Sequence, residues 1–316
     1  MNKAKRCLVL GGRGFIGSHL VDALLNRGYH VRCFDRPHIA PLGDAHMTNP
    51  NFELYEGDLV SEADVAEALE GCNICYHLVS TTLPKSSNAD PVFDVESNLL
   101  GTVRLLNHSV TAGVKKVIFV SSGGTVYGVP TQVPISETHA TNPICSYGIT
   151  KLAIEKYLGL FKQLYGLDYT VLRISNPFGE RQRTHASQGA VAVFLGKVLR
   201  SEPIEIWGDG SVVRDYIHIA DVVDALLAAI DRTGNEHIFN IGSGRGMSLN
   251  DVLNSIEKVT GRSAIRHYMP SRPFDVPASV LCIERAKQSL RWTPRIEFES
   301  GLELFTKWLL QHPEAD

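Results

Sequence analysis

The 316-residue sequence lacks most of the features that mark a specialised class. No apolar run approaches the ~18 residues of a membrane span. The apolar stretch behind Met1-Asn2-Lys3-Ala4-Lys5-Arg6 stops at Gly11 after four residues, short of the about 7–15 that a secretory core needs. Neither sign of charge is in excess. With 31 Lys and Arg against 34 Asp and Glu the formal net charge is −3, without the basic face that nucleic-acid and membrane-surface binders carry. Neither kind of partner is therefore expected. Six Cys are present, and only Cys72 and Cys75 have CxxC spacing. No second Cys pair or His pair follows them at zinc-ligand distance, so the pair reads as structural and no metal is expected. Cys7 and Cys33 lie in apolar runs, where a thiol acts as a small hydrophobe. The chain reads as reduced and cytoplasmic. Repeats and low-complexity tracts are missing too.

What is present is a regular alternation. Strands read at 7–10, 30–34, 51–55, 73–78, 116–121 and 169–174, and helices at 15–26, 61–69, 92–112 and 146–165. Ser61 with Asp64 three residues on reads as a helix start, an Asp version of the capping box. Such alternation specifies a parallel sheet with helices on both faces. Beyond Asn176 the rhythm shifts to short polar loops rich in Pro and Gly, with helices at 190–200, 220–231, 249–260 and 299–311. The expected architecture is α/β: a Rossmann-type doubly wound parallel sheet over 1–175, with a returning segment near 209–241. A smaller C-terminal α/β substrate-binding lobe would cover 176–208 and 242–316. Ligands of such sheets bind at the carboxyl ends of the strands.

Gly11-Gly12-Arg13-Gly14-Phe15-Ile16-Gly17 falls where the first strand turns into the first helix. Gly11 permits the tight turn, Gly14 lets the backbone approach a pyrophosphate, and Gly17 lets helix and strand pack closely. Free N–H groups at the helix start, at Phe15 and Ile16, favour the anion. Glycines also mark ordinary turns. Here, though, they follow a strand, open a helix and precede Asp35 at the end of the second strand. Asp35 would accept from ribose hydroxyls and repel a 2′-phosphate, which points to NAD over NADP. Arg13 and Arg36 are the counter-signal, since either is able to pair with a 2′-phosphate. Gly57-Asp58-Leu59 offers Asp58 to the adenine amino group, or is a plain turn Asp.

Tyr147-Gly148-Ile149-Thr150-Lys151 puts two side chains four apart on a helix, hence on one face. A free Tyr, pKa about 10, is a poor base at neutral pH. A neighbouring Lys⁺ and a cationic nicotinamide both favour the phenolate.

With these motifs the chain resembles the extended short-chain dehydrogenase/reductase family, in its UDP-galactose 4-epimerase-like branch. The resemblance runs from the Gly loop to Trp292-Thr293-Pro294. It includes Gly57-Asp58-Leu59, His77-Leu78-Val79, the segment 121–128 ending Thr-Val-Tyr-Gly, and Arg173-Ile174-Ser175-Asn176-Pro177-Phe178-Gly179. Further on it takes in Gly208-Asp209-Gly210, Arg214-Asp215-Tyr216 and Asn240-Ile241-Gly242-Ser243-Gly244. It implies an NAD-dependent 4-epimerase of UDP-hexoses working through a transient 4-keto sugar. Tyr147 would be the acid/base on the 4-hydroxyl, and Lys151 would hold the nicotinamide ribose and depress the Tyr147 pKa. Leu59 and Leu78 would line the cofactor cleft. Asn176 would contact the sugar or its phosphate, Arg214 and Arg272 would clamp the diphosphate, and Asp275 would meet the uridine ribose. Arg214 pairing with Asp215 or Asp209, and Asn176 capping a turn, are the plain alternatives. The family also implies a homodimer through the long helices 92–112 and 146–165, and a role in supplying sugars for surface polysaccharides.

The sequence departs from the pattern at Gly123, four residues before Tyr127, where the family carries a catalytic Ser or Thr. If the chain stays extended, side chains alternate, Thr125 faces as residue 123 would, and Thr125 is the substitute. Ser279, four residues beyond Asp275, stands where relatives confined to plain hexoses carry Tyr. A small residue there implies room for an N-acetyl group, as in UDP-GlcNAc and UDP-GalNAc. A nucleotide-sugar dehydratase, decarboxylase or 4-keto-reductase on the same frame is the rival enzyme. The dehydratase is disfavoured by Gly124-Thr125 where an Asp-Glu pair is wanted. A catalytically impaired NAD-binding homologue is the alternative from outside catalysis.

Overall fold

The structure is a computed structural model and describes residues 5–37, 48–185, 188–271 and 276–313. It divides into two compact units. Unit 1 comprises 1–128, 140–173 and 223–239; unit 2 comprises 129–139, 174–222 and 240–316. The returning segment thus starts at 223 rather than 209, and 129–139 belongs with the lobe. Ile135 explains the second difference, since its N–H and C=O bond to Val280 and Cys282.

Unit 1 is built from β1 (Arg6–Leu10), α1 (Phe15–Asn26), β2 (His30–Asp35), β3 (Phe52–Glu56), α2 (Glu62–Leu69) and β4 (Ile74–His77). Helices α3 (Pro84–Ala89) and α4 (Pro91–Asp94), a π-helical stretch Val95–Leu100 and α5 (Gly101–Thr111) follow. β5 (Lys116–Ser122), α6 (Ser146–Tyr165) and β6 (Asp168–Ile174) complete its main run. The helix expected at 92–112 is therefore continuous but carries a π-helical stretch, a device found mostly at functional sites. Sheet order from one edge is β3-β2-β1-β4-β5-β6, with Ile238–Ile241 as the seventh strand beyond β6. That is the doubly wound order, with its reversal between β1 and β4. Registers are parallel at β1–β2, β1–β4, β2–β3 and β4–β5. The strands read as continuous apolar runs because helices cover them; Leu8, Leu10, Phe34, Val117, Phe119 and Val171 share one core with Leu69, Ile154 and Leu158. Cys72 and Cys75 are buried in that same core.

Ser61 caps α2 through Asp64 N, as expected. Asp64 does not complete a reciprocal box: its carboxylate accepts from Asp58 N at 2.9 Å and fastens the 57–58 turn instead.

Unit 2 contains β7 (Asn176–Phe178), α7 (Ala190–Arg200), β8 (Pro203–Trp207) and β9 (Val213–His218). After α8 (Ile219–Ala228), which begins in this unit, and the seventh sheet strand β10, come β11 (Gly246–Ser248), α9 (Leu249–Thr260), β12 (Ile265–Met269), β13 (Ala278–Ser279) and α10 (Phe298–Gln311). β9 is the hub, pairing with β7, β11 and β13, while β8 and β12 form a separate parallel pair. Val191, Leu195, Ile204, Ile206, Val252 and Phe305 anchor its core. No helix among the described residues is long and apolar enough to cross a membrane.

Candidate active site

The first turn of unit 1 is shaped around glycine. Gly11 has φ +81°, the left-handed region that favours glycine. A Cβ on Gly17 would stand 2.0 Å from the Gly11 carbonyl oxygen, so no side chain fits there. α1 begins at Phe15 with no side-chain cap and no acidic residue in its first turn. Its leading N–H groups, on Phe15, Ile16 and Gly17, have no side-chain cap among the described residues, the arrangement that suits an anion.

Gly11 and Gly14 open into a cleft lined by Asp35, Arg36, Asp58, Leu59 and Leu78, with Ser80 and Thr81. The Asp35 carboxylate accepts from Arg13 N at 3.0 Å and Arg36 N at 2.9 Å. Burial pushes its pKa up, and those two N–H groups oppose the rise. Arg13 itself points at Glu56, Nη1 to Oε1 3.1 Å. Asp58 serves its turn, accepting from Val60 N at 3.2 Å, and lines the cleft as well. A glycine cradle, an open helix start and a carboxylate at the end of the second strand fit a dinucleotide.

Tyr147 and Lys151 lie on α6, with Lys151 Nζ 5.5 Å from the Tyr147 ring centre and 4.7 Å from that of Phe119. Lys151 donates to Val120 O at 3.0 Å. Burial lowers its pKa to about 8, against the upward pull of Asp94 and Glu155. Tyr147 is pushed up to about 12 by burial, then by Cys145 and Asp94, with a hydrogen bond from Ser80 opposing. In the chain without cofactor, burial is thus the largest influence on the tyrosine.

The pair is held by a polar network that sequence reading missed. Asp94, fully buried, accepts from Thr82 Oγ1 (2.5 Å), Ser146 Oγ (2.7 Å), Thr150 Oγ1 (2.8 Å) and Asn98 Nδ2 (2.9 Å). Burial pushes Asp94 up, but these four donors outweigh it and hold its pKa below the ordinary value. Asn98 Oδ1 accepts from Thr81 N at 2.9 Å, and Tyr147 N donates to Ser87 Oγ at 3.0 Å. The network ties the cleft wall at Ser80–Thr82 to the residues flanking Tyr147 and Lys151. Its signal was visible as Asp94, Ser97, Asn98 and Thr102, polar residues at helical spacing inside the expected helix 92–112.

The segment after β5 does not stay extended. Thr125 N and Val126 N both donate to Ser122 O, at 3.3 and 3.2 Å, so the chain turns at Gly123. The period-two argument for Thr125 therefore fails. A different observation keeps Thr125 in view: its Oγ1 is buried and has no hydrogen-bond partner among the described residues. Its carbonyl lies against α6, where a Cβ on Gly148 would come within 2.9 Å.

In unit 2, the strands around β9 gather three expected substrate residues. Asn176 is in register with Tyr216, and Ser279 with Arg214. Asn176 and Arg214 line one cavity of about 410 Å³ with Trp207, Tyr216, Glu205 and Gln188. Asn176 Nδ2 donates to Asp215 O at 2.9 Å, and Arg214 Nη1 donates to Val213 O and Val276 O at 2.8 and 2.6 Å. Asp215, buried, accepts from Ser243 N and Oγ and from Leu281 N. Ser279 is buried. Arg272 and Asp275 lie outside the described residues.

Sheet order, glycine cradle and the Tyr147/Lys151 pair define a Rossmann-type nucleotide-binding protein of the short-chain dehydrogenase/reductase kind. Residues 7–242 match the model of the NAD dependent epimerase/dehydratase family, and the chain belongs to that family. It is similar to the crystal structure of a UDP-glucose 4-epimerase from Thermotoga maritima with UDP-glucose, at 39% identity and TM-score 0.91 over 98% of this chain and 100% of that one. A UDP-glucose 4-epimerase of Mycolicibacterium smegmatis is 36% identical over 94% of this chain and 96% of its own. A dTDP-4-dehydro-6-deoxyglucose reductase of Escherichia coli is 33% identical over 95% and 96%.

Proposed function

We propose that the protein is an NAD-dependent 4-epimerase of UDP-hexoses that acts through a transient 4-keto sugar. The observation that carries this reading is the seating of Tyr147 and Lys151 on one face of α6, Lys151 Nζ 5.5 Å from the tyrosine ring. Bound NAD would accept hydride from C4 and give it back, so that no net redox change results. Gly11, Gly14, Gly17 and the N–H groups of Phe15 and Ile16 would hold its pyrophosphate, and Asp35 its adenosine ribose. Arg36, Asp58, Leu59 and Leu78 would line its adenosine end. Tyr147 Oη takes the proton of the 4-hydroxyl and returns it after the ketone has turned over. Lys151, largely protonated at pH 7, supplies the positive charge that makes this ionisation accessible. Thr125 would supply the hydroxyl that Gly123 lacks. Arg214 and Arg272 would grip the diphosphate, Asn176 the sugar or its phosphate, and Asp275 the uridine ribose. Ser279 would leave room for an N-acetyl group.

Incubating the protein with UDP-glucose or UDP-GlcNAc and resolving the products by NMR tests this. The C4 epimer is expected. Net formation of a 4-keto product or of NADH would redirect the assignment to a dehydratase or reductase, and no turnover would leave an NAD-binding homologue. The reductase is the second reading, favoured by the likeness to the E. coli reductase.

A homodimer is part of this proposal. Val92 (66% exposed) near the start of α4, and Ile149 (55%) and Leu164 (58%) on α6, are apolar side chains turned outward. Sedimentation is expected to give a two-chain particle; a monomer at micromolar concentration would overturn it.

A further inference from the structure

We infer that Glu56 sets cofactor choice in this chain: by engaging the guanidinium of Arg13, it withholds from a 2′-phosphate the cation that the glycine loop would otherwise offer. The inference rests on the dinucleotide reading of the cleft. It starts from an inconsistency in the sequence, where Asp35 signals NAD while Arg13, inside the glycine loop, and Arg36, beside Asp35, signal NADP. Two contacts account for Arg13. Arg13 N donates to Asp35 Oδ2 at 3.0 Å, which fixes the loop residue beside the ribose-selecting carboxylate. Its side chain then runs to the neighbouring strand, where Nη1 meets Glu56 Oε1 at 3.1 Å. Glu56 is the register partner of Asp35 across β2 and β3, so the sheet edge presents two carboxylates side by side.

The charges decide the outcome. Asp35, Glu56, Arg13 and Arg36 sum to zero, which gives a dianionic 2′-phosphate nothing to gain. With Glu56 neutral the same corner carries one net positive charge on a planar fork suited to phosphate. The Arg13 side chain is 12% exposed and that of Glu56 46%, so the pair is not sealed from solvent. Its own contribution to stability is accordingly small. Removing the carboxylate should leave the fold intact and change mainly what Arg13 is able to bind.

The test is titration of NADH and NADPH into the purified chain, followed by nicotinamide fluorescence, a readout independent of turnover. The unaltered chain is expected to bind NADH and discriminate against NADPH. Glu56→Gln should strengthen NADPH binding by about tenfold, as loss of one unit charge near a dianion implies, and leave NADH within about twofold. In Glu56→Gln/Arg13→Ala the gain should vanish, because its agent has gone. An unchanged NADPH:NADH ratio in Glu56→Gln, or a gain that survives removal of Arg13, overturns the inference and leaves the function above standing. Failure of the unaltered chain to bind NADH overturns the cofactor reading and this inference with it.

Discussion

Arg173 and Glu155 form a two-pronged ion pair in the interior of unit 1, Nη2 to Oε2 at 2.5 Å and Nε to Oε1 at 3.0 Å. Each is 3% exposed. Ser121 Oγ donates to the same carboxylate at 2.6 Å, and Arg173 Nη1 donates to Tyr127 Oη at 2.9 Å. Glu155 lies one helical turn beyond Lys151, so the pair joins α6 to the end of β5 and to the loop that carries Thr125. Breaking such a pair strands a buried charge. Glu155→Leu alone is expected to cost about 3–5 kcal/mol in urea unfolding, and Glu155→Leu/Arg173→Met markedly less. A double variant as unstable as the single would contradict the pairing.

Lys151 predicts a pH signature. Its pKa in the folded chain is about 8, against about 10.4 when unfolded. Between those values the unfolded state binds more protons, so this group makes stability rise with pH from about 8 to 10.4. Urea unfolding at pH 7.5 and 9.5 should show that increment in the native chain and its loss in Lys151→Met; equal slopes would refute it. Turnover is expected to fall over the same range, as the charge beside Tyr147 disappears.

The two hydroxyls after β5 are separable. Thr125→Val should lower kcat by about 10²-fold, the size expected for one hydrogen-bond donor to a developing oxyanion. Ser122→Ala should stay within about threefold, as for a residue outside that contact. The reverse ranking would move the role to Ser122.

Ser279 offers a specificity test. Its register opposite Arg214 puts position 279 next to the proposed diphosphate clamp. Ser279→Tyr is expected to reduce kcat/KM for UDP-GlcNAc by roughly tenfold or more through steric exclusion, with UDP-glucose nearly unaffected. Equal loss on both sugars would contradict the pocket.

The sheet domain, the glycine cradle and the Tyr147/Lys151 spacing were legible in the sequence because each is local: a strand, a turn, one face of one helix. What escaped depends on partners distant in the chain. The π-helical stretch at Val95–Leu100 lies beside Asp94 and Asn98, whose partners Thr82 and Thr150 sit on other elements. The path of the chain up to Thr125 was misread, because the turn at Gly123 is a backbone event that the period-two argument assumed away. The lobe's strands β7, β11 and β13 span only three, three and two residues, too few to show any period.

Under the proposed function, hydride leaves C4 of the sugar and returns to the same carbon, with Tyr147 handling only the proton. UDP-glucose deuterated at C4 tests it most directly. A UDP-galactose product that keeps its deuterium, no label in solvent, and no product from Tyr147→Phe are expected. Loss of the label to water, or epimerisation undiminished in Tyr147→Phe, would contradict it.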